Sequence, residues 1–148
     1  MRYAMVVGVF LGAVGCLTAG QRVQFHSYSL HEALVYTFTI DVGEADAWDS
    51  SSAESPPLSP RRAKNLATAF IKTIPLDPQM QSWRLRTIAL ECISEEPERW
   101  VYLVTFEGAP GTVTWYGQLP SFKVVVRMDG TIPKPTNRKW DWAAGTKQ

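Results

Sequence analysis

The residues best suited by type to do chemistry are two histidines and the carboxylates near them. His26 and His31 are the only histidines, with Glu32 beside the second and Asp41 further on. An imidazole next to a carboxylate can serve as a general acid–base pair or as two metal ligands. A metal site normally takes three or four ligands, yet the chain offers no further histidine and no usable cysteine pair, its two cysteines being Cys16 and Cys92. The histidines therefore read as surface or partly buried residues. The rival reading, an enzyme of unrecognised type near His31 and Glu32, needs a further polar group in the same cleft. Glu95, Glu96 and Glu98 crowd a short polar stretch, where a solvated acidic turn is the simpler explanation than calcium ligation. GxSxG, HExxH, Walker A and CxxC motifs are all lacking, and Gly108-Ala109-Pro110-Gly111 is a turn rather than a phosphate cradle. The expectation is a chain without catalytic residues, metal or cofactor.

Cys16 lies in a segment with its own logic. Residues 1–20 carry Arg2 at the head, a nearly unbroken apolar run from Tyr3 to Leu17, and small residues after it. That run is short for a bilayer span and suits a secretory signal, so the chain is expected to be exported, to the periplasm or cell envelope. Leu17-Thr18-Ala19-Gly20 suits an ordinary signal peptidase, with the mature chain starting near Gln21. Ala13-Val14-Gly15-Cys16 resembles a bacterial lipobox, which implies lipidation at Cys16 and a membrane-anchored protein. An uncleaved anchor is the third alternative. In each case Cys92 is left as a lone thiol, most simply a small core residue.

The elements that would position any site centre on residues 59–132. Ser59-Pro60 opens a helix, because a serine hydroxyl can accept from an orphan N–H and proline is tolerated at the first helical position. Ala63, Leu66, Ala67, Phe70, Ile71 and Ile74 recur at helical spacing, with Arg61, Arg62, Lys64, Asn65 and Lys72 left for solvent, until Pro75 and Pro78 end it. Three extended runs follow, at 83–92, 100–107 and 122–128, the first mixed in pattern and the others alternating. Residues 94–99 close a hairpin, and Asp129-Gly130 is a turn signal. Upstream, residues 34–42 alternate as a further strand, and 21–30 could be a short strand or an extended lead-in. Ser29-Leu30-His31-Glu32 matches a helix capping box, but β-branched and aromatic residues follow it. The expected fold is α+β, one helix packed on an antiparallel sheet of about four strands, with the second sheet face partly wet.

The order helix, strand, hairpin, strand, with Trp100-x-Tyr102-x-Val104-x-Phe106 and a last strand running into Met128-Asp129-Gly130-Thr131-Ile132, resembles the PepSY-type domains of exported bacterial proteins. The resemblance covers roughly half the chain. It implies a small helix-on-sheet unit that binds or inhibits and carries no catalytic set. The long 108–121 connection and the tryptophan-bearing tail depart from that pattern.

Hydrophobic content of 45% and charged content of 20% over 148 residues suit one domain with a real core. Residues 21–132 form that α+β domain, with a flexible acidic Ser/Pro loop at 46–59, and 133–148 form a Pro/basic/Trp tail. The net charge is +1, a poor match to nucleic acid. Its distribution is uneven: residues 21–59 hold one base against six acids, and from Pro60 onward thirteen bases face eight acids. Either the halves complement each other within the fold, or a basic face meets acidic lipid or polymer. Trp115 and Tyr116 in the long connection, with Trp140 and Trp142 in the tail, form the candidate binding surface, the simpler alternative for Trp115 and Tyr116 being that their rings cap one end of the core. The tail either docks back on the body or sits at a membrane interface. The function expected is a non-catalytic envelope module with a protein or peptide partner; the alternative is a membrane-tethered lipoprotein of structural role.

Overall fold

The computed structural model describes residues 20–29, 32–45, 48–51, 55–95, 97–112, 114 and 116–140. Their order is β1 (Arg22–Ser29), β2 (Leu34–Asp41), α1 (Pro60–Ile71), β3 (Met80–Glu95), β4 (Glu98–Pro110), β5 (Ser121–Arg127) and β6 (Thr136–Lys139). The fold is α+β, but among the described residues the strands form two antiparallel three-stranded sheets, ordered β1-β2-β6 and β3-β4-β5. This corrects the expectation of one sheet of about four strands. The extra strands are those with the weakest apolar pattern. β1 resolves the ambiguous 21–30 stretch as a strand whose two innermost positions, Ser27 and Ser29, are polar. β6 is exposed Thr136-Asn137-Arg138-Lys139, joined to the β2 edge through its backbone. The 29–32 capping-box match starts no helix, because Ser29 pairs with Leu34 across a β1–β2 hairpin.

The helix opens as its sequence demands: the Ser59 hydroxyl accepts from the Arg62 amide at 3.3 Å, with Pro60 at the first position. It stops at Ile71, short of Ile74. Pro75 disfavours helical geometry at the residue before it, so the last turn tightens. The amides of Thr73 and Ile74 bond back three residues to Phe70 and Ile71, and the Thr73 hydroxyl donates to the Phe70 carbonyl at 2.7 Å. Ala63, Ala67 and Ile71 are fully buried, and α1 lies against β3, β4 and β5.

The mixed pattern of β3 has a register explanation. Leu85 pairs with Phe106 and Thr87 with Thr105, so Arg86 is an extra residue in a bulge. Trp83 and Leu85 before it, and Ile88, Leu90 and Cys92 after it, therefore share one face, opposite Gly108, Phe106, Val104, Tyr102 and Trp100. In β4 and β5 the second face is not wet at its centre: Val101, Leu103 and Val125 are buried along with Tyr102, Val104, Val124 and Val126. The continuous apolar runs at 101–104 and 124–126 are what burial on both faces requires.

The sheets meet edge to edge, β1 along β5. Phe38 of β2, with no exposed surface, joins them: its ring lies 5.9 Å from Phe70 of α1 and 6.4 Å from Phe122 of β5. Tyr36 and Trp83 also reach Phe122, at 5.3 and 6.3 Å. The Tyr102 hydroxyl donates to the buried Leu58 carbonyl at 2.8 Å, tying the segment before α1 to the sheet.

After β5 the chain turns at Asp129-Gly130, where Gly130 has φ +84, a conformation that favours glycine. Burial pushes the Asp129 carboxyl up, but the Thr131 hydroxyl and amide, at 2.6 and 2.7 Å, together with Arg127 at 3.7 Å, outweigh it and hold it below the usual carboxylate range. A depressed folded value gives stability that is present above the unfolded pKa of about 3.9 and is lost as pH falls through the folded value. Asp129→Asn is expected to cost about 1 kcal/mol at neutral pH, with the gap to wild type closing below about pH 4. Urea unfolding at pH 7 and pH 3 checks this; an equal gap at both would contradict it.

Candidate functional site

The candidate residues scatter. Cys16, His31, Trp115 and Trp142 lie outside the described residues. His26 stands on the exposed face of β1, its Nδ1 3.0 Å from the Thr37 hydroxyl. Glu32 accepts from the Tyr36 hydroxyl at 3.2 Å. Burial, then the Glu32 charge and this bond, raise the Tyr36 pKa. Among the described residues no three His, Cys, Asp or Glu side chains gather as a metal site would need. Glu98 is more than a solvated turn residue: it accepts from the Ser50 amide at 2.9 Å and the Trp100 indole at 3.1 Å, which lower its pKa. With Trp48 stacked edge-on against Trp100 at 5.6 Å, these bonds pin part of the 46–59 loop to the β3–β4 hairpin. Cys92 is half-buried, its thiol 3.1 Å from the Ser94 carbonyl.

Of the aromatic candidates, Tyr116 stands 89% exposed, and Trp140 docks on the body. The Trp140 amide donates to the Ala33 carbonyl, and its ring meets Tyr28 edge-on at 5.1 Å. Tyr28, which sequence reasoning did not single out, also borders a small hollow with residues 118–121. Its only sequence signal was an aromatic ring on the polar side of β1.

The larger feature is a groove that no motif announced. It has a volume of about 600 Å³ and lies where α1 ends, between the 71–76 turn and the start of β3. Ile71, Ile74, Pro75, Leu76, Trp83 and Phe106 make it apolar; Thr68, Lys72, Thr73 and Ser82 supply the polar rim. The groove exists because Pro75 turns the chain off the helix axis while the bulged β3 keeps Trp83 on the helix side. The Trp83 indole nitrogen is covered and has no acceptor among the described residues, so the ring acts as an apolar wall.

Beside the groove runs a cationic helix face. Arg61, Arg62, Lys64 and Lys72 are exposed, and α1 contains no acid. The four ion pairs of the described residues are Arg22–Asp41, Arg84–Glu107, Arg86–Glu107 and Arg127–Asp129. None involves α1, and none joins the acidic 21–59 stretch to the basic remainder.

Comparison with known proteins gives no match: no family model, curated protein or solved structure is significantly similar to this chain.

Proposed function

We propose that this chain is an exported, non-catalytic binding module of the bacterial cell envelope, PepSY-like in the helix–hairpin–strand order of α1, β3, β4 and β5. The groove at the end of α1 is the observation that carries it: about 600 Å³ falls inside the ~300–1,000 Å³ typical of ligand sites, which are mostly apolar with a few polar groups. Its walls are the end of α1, the 72–76 turn and the β3–β4 pair, and the turn is tied back to the helix by the Thr73 and Ile74 amides. His26 and Glu32 are by contrast engaged in hydrogen bonds with Thr37 and Tyr36, which do not line the groove.

Chain recovered from the envelope fraction of an expressing bacterium is expected to have a mass beginning at Cys16 or near Gln21. That material should take up the neutral fluorophore phenylnaphthylamine saturably, one per chain. Ser82→Trp, which places an indole in the groove from an exposed wall position, should abolish the uptake without unfolding the protein. A chain beginning at Met1 in the cytosol would overturn the envelope assignment, and dye uptake unchanged by Ser82→Trp would overturn the groove.

A further inference from the structure

We infer that the ligand of this module is an anionic lipid, its head group held on the solvent face of α1 and an acyl segment in the groove. This rests on the groove being the binding site. Arg61, Lys64, Thr68 and Lys72 follow one another at intervals of three and four residues, which places them on one side of the helix. The stripe is about 16 Å long at 1.5 Å per residue. Its lower end is shared with the groove, since Thr68 and Lys72 line both.

Two features argue that the stripe has a partner. Arg61 and Arg62 occupy the first turn, where the helix dipole is positive and acidic residues are the favoured ones. No carboxylate among the described residues pairs with any of the four cations. An anion brought from outside would relieve both conditions. The groove decides which kind of anion. A soluble polyanion could lie along the stripe but has nothing to place against Ile74, Leu76, Trp83 and Phe106, whereas an amphiphile satisfies the cations and the apolar walls together. An exported chain, tethered or free, would meet such a surface at the membrane.

The test is co-sedimentation of the mature protein with vesicles of phosphatidylcholine alone and of phosphatidylcholine with phosphatidylglycerol, at low and high salt. Retention is expected only on the anionic vesicles, falling with salt. The triple variant Arg61→Gln, Lys64→Gln, Lys72→Gln should weaken it about a hundredfold. All three sites are exposed, and removing Arg61 relieves a dipole conflict while removing Lys72 gives up a favourable dipole interaction at the opposite end, so circular dichroism should show an intact fold of about the same stability. Ser82→Trp should weaken retention several-fold while leaving the salt dependence unchanged.

Equal retention on neutral vesicles, or none on anionic ones, would overturn the inference. Retention indifferent to Ser82→Trp and competed fully by inorganic polyphosphate would overturn it in favour of a plain polyanion face. The dye titration separates the two levels. Phenylnaphthylamine bound while vesicles are ignored removes the lipid and leaves the binding groove, whereas failure of both removes the groove as well.

Discussion

Phe38→Ala is expected to lower the stability of the domain by about 3–5 kcal/mol, the range for truncating a fully buried phenylalanine. The residue has no exposed surface, and its ring touches Phe70 of α1 and Phe122 of β5, so one side chain holds the β1-β2-β6 sheet, the helix and the β3-β4-β5 sheet together. The loss combines the transfer free energy of the ring with a cavity that three separate elements would have to move to fill. For a domain of ordinary stability, about 5–15 kcal/mol, that is a large fraction of the total. Urea unfolding should show the midpoint falling with little change in slope. Phe122→Ala combined with Phe38→Ala should cost less than the sum of the two, because each removes part of the same contact. A loss under about 1 kcal/mol, or strict additivity, would mean the sheets are held by other contacts.

How much of this was legible in the residues depended on whether a feature was local. α1 followed from periodicity, because the burial that orders it repeats every turn, whereas the centres of β4 and β5 were legible as strands but not in their burial, which is continuous on both faces rather than alternating. β3 was half legible: the Arg86 bulge exchanges the faces midway, and no pattern of fixed period survives an inserted residue. β6 carried no signal, since a polar edge strand pairs through backbone groups that every sequence possesses. The division into two sheets was hidden for a related reason, as its linking bond joins residues ninety-six apart. At the site, Lys72 and the apolar residues of the 70–76 stretch were visible individually. The groove was not, because it is a space between the end of one element and the start of another. Trp140 stood out as a binding residue in a tail that either docks back or meets a membrane, and the sequence did not decide between these, while its partner Tyr28 was read only as part of an uncertain strand.

The hydroxyl of Ser27 carries the second large effect, and it does so without apolar contact. Where β1 runs along β5 the backbone ladder between the sheets is replaced by one side chain: the Ser27 hydroxyl donates to the Lys123 carbonyl at 2.8 Å and accepts from the Lys123 amide at 2.9 Å. Ser27 is only 3% exposed, so water has little access to take over. Ser27→Ala removes the partner of two main-chain groups at once. An unsatisfied buried polar group costs about 1–3 kcal/mol, so the expected loss is about 2–4 kcal/mol, far above the value for trimming one oxygen from a surface serine. Ser27→Thr keeps the hydroxyl and should recover most of it, the remainder reflecting whether the added methyl fits. Hydrogen exchange supplies the local readout: the Lys123 amide should be protected in the wild type and exchange markedly faster in Ser27→Ala, with the amides at the centre of the β4–β5 ladder changing only by the global loss. Protection at Lys123 that survives the substitution, with stability changed by less than about 0.5 kcal/mol, would show that the seam is held by the aromatic core around Phe38 alone. Separate losses from Phe38→Ala and Ser27→Ala that add would show two independent ties across the same junction, one apolar and one polar.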